Sequence, residues 1–172
     1  MSASTRSNTA VNLDALDDDA FQGHLLQGVS RTFALTIPQL PSALAKPVAN
    51  AYLLCRIVDT IEDEVALDSA QKRRFCCQFA DVVRGQGSAQ SLGAELAPLL
   101  STTTLPAEHE LMAVMPRVIR ITHAFDAEQQ AALADCVAIM ANGMAEFQDR
   151  DLSAGLSTLP ELDKYCYYVA GV

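Results

Sequence analysis

The stretch Tyr52-Leu53-Leu54-Cys55-Arg56-Ile57-Val58-Asp59-Thr60-Ile61-Glu62-Asp63 constrains the chain most. Wound at 3.6 residues per turn, it places Tyr52, Arg56, Asp59 and Asp63 on one narrow polar stripe. Leu54, Ile57, Val58, Ile61 and Val65 fall on the opposite side, the side a bundle helix packs against its neighbours. Glu62 lies off the stripe by one residue's rotation of about 100°, close enough to reach in. A phenol, a guanidinium and two carboxylates aligned over so apolar a back predict a helix that lines a pocket.

Composition sets the bounds on that helix's surroundings. A chain of 172 residues, half of them hydrophobic and 19% charged, can bury the core of a single domain and is not a disordered composition. The formal net charge of −9 argues against nonspecific binding to nucleic acid, whose phosphates need a basic surface. Polyanionic substrates stay open to an acidic chain when divalent cations lie between. The five cysteines, Cys55, Cys76, Cys77, Cys136 and Cys166, include no CxxC pair. They read as buried free thiols of a reducing cytosol. No run of 18 apolar residues occurs, so no transmembrane segment is expected.

Residues 1–12 are rich in Ser, Thr and Asn without an apolar stretch. A disordered leader is expected over 1–19, followed by one domain over 20–172. Asp17-Asp18-Asp19 reads as a helix start before Phe21 rather than as a metal site. After Ser30–Ile37, Pro38 and Pro41 act as breakers. A helix is expected over Ser42–Ala66, bent in its first turns by Pro47. A capping box at Asp68–Gln71 opens another to about Arg84. A short helix follows over Ser91–Leu100. Pro106 opens one through His123, kinked at Pro116. Asp126 starts a long helix reaching Asp149, and Thr158-Leu159-Pro160-Glu161 caps a last one. With no strand alternation or hairpin signal, the fold class is all-α.

Asp59 and Asp63, one turn apart, are hard oxygen ligands of the kind Mg²⁺ combines with substrate phosphates. Arg56, Arg31 and Ser30 could hold phosphate oxygens directly; an intrahelical pair of Arg56 with an aspartate is the plainer alternative. His24, His109 and His123 match no metal-ligand spacing. Gly143 sits inside a helix, where a small residue admits either a packed neighbour or a long apolar ligand.

Three segments carry a resemblance. Val29-Ser30-Arg31-Thr32-Phe33, the Tyr52–Asp63 stretch, and Asp163-Lys164-Tyr165-Cys166-Tyr167-Tyr168-Val169-Ala170-Gly171 occur in the order of three landmarks of the squalene/phytoene synthase family. Met144-Ala145-Glu146-Phe147 before the third is most similar to the squalene synthase branch, bacterial members in particular. The resemblance covers residues 20–172, about the first half of a family member, without the second aspartate-rich motif.

The resemblance implies an all-α isoprenoid-synthase fold with a central cavity. It further implies Mg²⁺-dependent head-to-head joining of two farnesyl diphosphates through a cyclopropyl diphosphate, then NADPH reduction to squalene. Asp59, Glu62 and Asp63 match the metal-binding motif. Ser30, Arg31, Tyr52 and Arg56 match residues near substrate or cofactor phosphate, and Tyr165 matches the catalytic tyrosine. A cytoplasmic protein with a peripheral membrane contact for the apolar product fits the same picture. Two alternatives stay open: a phytoene or dehydrosqualene synthase without the NADPH step, and a non-catalytic acidic helical module that binds a partner. Since the chain stops within an apolar helical run and carries one aspartate-rich motif, it is expected to be a truncated form, inactive by itself.

Overall fold

A computed structural model describes residues 11–148 and 155–171. The regular secondary structure of the described residues is helical throughout. In chain order these are α1 (Asp18–Val29), α2 (Arg31–Thr36), α3 (Ser42–Asp63), α4 (Ser69–Val83), α5 (Ala89–Leu96), α6 (Pro106–Ala113), α7 (Met115–Thr122), α8 (Ala127–Gln148) and α9 (Leu159–Cys166). A π-helical turn over Tyr167–Gly171 continues from α9.

Helix α3 is the axis of the bundle, packed by α1, α4, α6, α7 and α8. Leu53, Leu54, Ile57, Val58 and Ile61 have no exposed surface, and each such burial contributes about 1.5–3 kcal/mol. Helix α8 lies across both α3 and α4, where Val137, Met140, Ala141 and Met144 join the common core. The three-four spacing of these residues is what turns one face inward.

A polar thread crosses this core. Gln22 on α1 donates to Asn50 Oδ1 on α3 at 3.0 Å, and Asn50 donates to Thr122 Oγ1 on α7 at 2.7 Å. All three residues are buried. Their bonds to one another offset the cost of removing amides and a hydroxyl from water.

Four expectations are corrected. Order begins before residue 20: Leu13–Ala15 forms a 3-10 turn capped by Asn12. Arg117 fixes it, donating to the carbonyls of Leu13 and Leu16 at 2.7 and 2.6 Å and pairing with Asp18 at 3.0 Å. Helix α3 ends at Asp63 rather than Ala66, so Val65, assigned to the apolar back, is 72% exposed. The expected single helix from Pro106 to His123 is two, divided at Val114 with φ −100° and ψ 10°. Pro116 lacks the N–H that would bond the Met112 carbonyl, and its ring clashes there. Lastly, only Cys76 of the five cysteines is buried; Cys55 and Cys136 are half-buried, Cys77 and Cys166 exposed. Adjacent helical residues point about 100° apart, so Cys76 and Cys77 cannot share the core face.

The remaining starts follow the local chemistry. Asp17 accepts from the Ala20 N–H at 2.8 Å and caps α1, Asp68 and Gln71 complete a reciprocal capping box on α4, and Thr158 with Glu161 does the same for α9. These bonds satisfy amides that a helix leaves unpaired in its first turn. The expected end of the α8 helix at Asp149 and most of the loop over 151–156 lie outside the described residues.

Candidate functional site

The polar stripe of α3 opens into a cavity of about 320 Å³. Val48, Ala51, Tyr52, Cys55, Arg56 and Asp59 supply its α3 wall; Phe33 and Ile37 close one side, Cys136 and Met140 of α8 another, and Tyr168 and Val169 a third. From Val48 to Asp59 the wall runs about 16 Å at 1.5 Å per residue, passing from apolar to charged.

The aromatic side is built by close packing. The Phe33 and Tyr52 rings lie 4.7 Å apart between centroids. Tyr168 rests directly on the backbone of α8 at Gly143, where an added Cβ would come within 2.1 Å of the Tyr168 Cγ. Of the two readings of Gly143, the packed neighbour is the one the structure shows. The π-helical turn carries Tyr168 and Val169 to the cavity, and such wide turns recur at functional sites.

At the charged end, Arg56 is gripped by Glu108 of α6 and stands 4.0 Å from Asp59. Its Nε is buried without a hydrogen-bond partner. Burial raises the Asp59 carboxyl to about 6; Arg56 opposes that shift, while the negative charges of Asp63, Glu62 and Glu108 reinforce it. A carboxylate held that far above its usual range by burial and like charge is stabilised by an added cation. Tyr165 lies edge-on to Phe147 at 5.3 Å. Burial, followed by the charges of Glu62, Asp63 and Asp59, pushes its hydroxyl up, so it stays protonated.

The residues singled out from sequence therefore separate into groups. Tyr52, Arg56 and Asp59 share the cavity. Glu62, Asp63 and Tyr165 lie within electrostatic reach of Asp59, with Asp63 exposed. Ser30 and Arg31 fall outside the cavity lining; the Ser30 hydroxyl caps α2 by accepting from the Phe33 N–H at 3.3 Å, and Arg31 is exposed. Glu108 has no signal of its own in the sequence beyond its place at the third position of α6, where it accepts from the Leu105 N–H at 3.0 Å.

Glu64, next to the acidic motif, serves the scaffold. It is buried and accepts from the Ser101 and Ala66 N–H groups at 2.8 Å each and from the Thr104 hydroxyl at 2.6 Å. Burial alone would push its carboxyl up, but these donors outweigh it and hold the carboxyl at about 2. The three histidines are likewise structural: His24 meets Glu110 at 3.1 Å, His109 the Ser101 carbonyl at 3.2 Å and His123 the Val83 carbonyl at 3.0 Å.

Among the described residues no three His, Cys, Asp or Glu side chains converge as a closed metal site. The donor set fits a hard divalent cation that takes one or two carboxylates and completes its shell with water and phosphate oxygen. No described helix is long and apolar enough to cross a membrane.

Comparison with known proteins agrees with the geometry. "Squalene synthase BSS" of Botryococcus braunii is 30% identical over 156 residues, 91% of this chain and 31% of that protein. A squalene synthase of Eremothecium gossypii is 28% identical, covering 86% of this chain and 32% of its own length. A solved structure of TcSQS in complex with the ligand E5700 superposes with a TM-score of 0.72 at 28% identity, over 88% of this chain and 40% of that one. The chain thus spans about a third of the length of these curated relatives. The squalene/phytoene synthase family profile matches residues 26–172, and with this fold and this cavity the chain belongs to that family.

Proposed function

We propose that this chain carries the first diphosphate-binding wall of a squalene synthase, an enzyme that joins two farnesyl diphosphates head to head and reduces the product to squalene with NADPH. The observation that carries the reading is the graded cavity on α3, apolar at Val48 and Phe33 and charged at Arg56 and Asp59. A prenyl diphosphate has the same gradient along its length. The alternative of a non-catalytic acidic module, with Asp59, Glu62 and Asp63 as a solvated face, is disfavoured because Asp59 and Glu62 are half-buried and Asp59 lines that cavity, leaving Asp63 alone exposed.

In this reading Asp59 and Asp63, assisted by Glu62, hold Mg²⁺, which when bound neutralises charge on the departing diphosphate. Arg56, with its unpartnered Nε, donates to phosphate oxygens. Exposed Arg31 and the Ser30 hydroxyl serve the phosphates of substrate or of NADPH. Tyr165, protonated and close to the acidic end, steadies charge that develops as the allylic C–O bond breaks. Phe33, Tyr52 and Tyr168 offer aromatic faces to the carbocation and keep water away.

Calorimetric titration with farnesyl diphosphate tests this. Binding is expected only with Mg²⁺ present and is expected to weaken at least about tenfold in Asp59→Asn and Asp63→Asn, a loss of about 1.4 kcal/mol. Binding that ignores both the cation and the two substitutions would overturn the assignment.

A further inference from the structure

Two cysteines of the cavity wall come from different helices and meet. Cys55 of α3 and Cys136 of α8 place their sulfurs 3.7 Å apart, and both line the cavity. A disulfide needs sulfurs about 2.05 Å apart, so the two sulfurs have to close by under about 2 Å to reach the bonded state. The pair sits at the contact between two helices of the core, where α3 and α8 are already packed. The other three cysteines have no such partner geometry: Cys76 is buried, and Cys77 and Cys166 are exposed on α4 and α9.

We propose that Cys55 and Cys136 form a redox-active dithiol site, which a low-molecular-weight disulfide oxidises to a cross-link between α3 and α8 on the cavity wall. The chemistry balances within the pair and the oxidant. The Cys136 sulfur attacks one sulfur of the small disulfide, its S–S bond breaks, and one small thiol leaves with a proton. The Cys55 sulfur then loses its proton, attacks the Cys136 sulfur and expels the second small thiol. Two electrons pass from the cysteine pair to the oxidant, and one intramolecular S–S bond replaces the intermolecular one. The hydrogen bond between the two sulfurs holds the Cys136 thiol down at about 7 and pushes that of Cys55 up, which suits Cys136 to the first attack.

The cross-link lies one residue before Arg56 and one turn before Asp59 on the same helix. Oxidation therefore locks the spacing of the two walls at the middle of the cavity. No part of this chemistry depends on which ligand the cavity takes.

The test is an equilibration of the full chain against graded mixtures of reduced and oxidised glutathione. Denaturing alkylation and peptide mapping then report each thiol. The expected result is complete loss of alkylation at both Cys55 and Cys136, one peptide joining them, and full recovery on adding dithiothreitol. In Cys55→Ser the second step is blocked, and Cys136 is expected to retain one glutathione. Full alkylation of Cys55 and Cys136 under conditions that glutathionylate exposed Cys77 and Cys166 would overturn the proposal. So would a cross-link that pairs either residue with a different cysteine.

Discussion

Arg56 on α3 is held by Glu108 on α6 across 52 positions of sequence, while its Nε remains buried and unpartnered. The pair is mostly desolvated, with 26% and 12% of the two side chains exposed. Removing one partner of a fully buried pair costs about 3–5 kcal/mol. For Glu108→Ala we expect about 1–3 kcal/mol in urea unfolding, since Arg56 retains some water. The same variant removes one of the charges that raise Asp59, so the Asp59 carboxyl should titrate lower by NMR. An unchanged Asp59 titration would contradict this coupling.

Two carboxylates near the end of α3 should give opposite pH dependences. Asp59 rises from 3.8 unfolded to about 6 folded, so the folded state binds the proton more tightly. Stability contributed by its neutral form is present below pH 4 and lost as pH rises through about 6. Glu64 falls from 4.5 to about 2, so its contribution is present above pH 4.5 and lost as pH falls through about 2. Asp59→Asn is therefore expected to stabilise at pH 7.5 by about 1–2 kcal/mol, discounted for partial exposure, and to be neutral at pH 3.5. Glu64→Gln is expected to destabilise at pH 7.5 by about 1–3 kcal/mol. Thermal unfolding of both variants at the two pH values checks the signs.

Gly143 and Tyr168 make a matched pair. A methyl group at Gly143 would collide with the Tyr168 ring near its attachment point, not at a flexible end. Gly143→Ala should cost about 1–3 kcal/mol as the ring and its turn are displaced. In a Tyr168→Ala background the same substitution should cost far less, and a double-mutant cycle measures the difference. Equal costs in both backgrounds would show that the ring does not rest there.

On the proposed function, Tyr165→Phe separates chemistry from binding. In turnover-competent protein we expect kcat to fall on the order of 100-fold, with KM for farnesyl diphosphate changed by less than about threefold. A raised KM at unchanged kcat would make Tyr165 a packing residue beside Phe147.

Much of the helical order was legible because it rests on local chemistry. Asp17, Asp68 and Thr158 each cap the helix that follows, and capping is written within four residues. The stripe of Tyr52, Arg56 and Asp59 was legible for the same reason, being a property of one helix. Contacts between distant segments were not. Nothing near Arg56 announces Glu108, and nothing near Cys55 announces Cys136, because both partners arrive by packing. Val65 was misplaced for a related reason: periodicity continues past the point where Glu64 leaves the helix to bind Ser101 and Thr104.

The thread from Gln22 through Asn50 to Thr122 works as an index pin for the bundle. Apolar side chains tolerate many rotations of α3 about its axis, since one aliphatic contact substitutes for another. Amides do not: turning or sliding α3 would strand Asn50 in the core at about 1–3 kcal/mol for each group left unsatisfied. Asn50 lies two residues before Tyr52 on the same rigid helix. Whatever sets its angle therefore also aims Tyr52, Arg56 and Asp59, so the orientation of the cavity wall is settled on the far side of the helix, by residues outside the cavity lining.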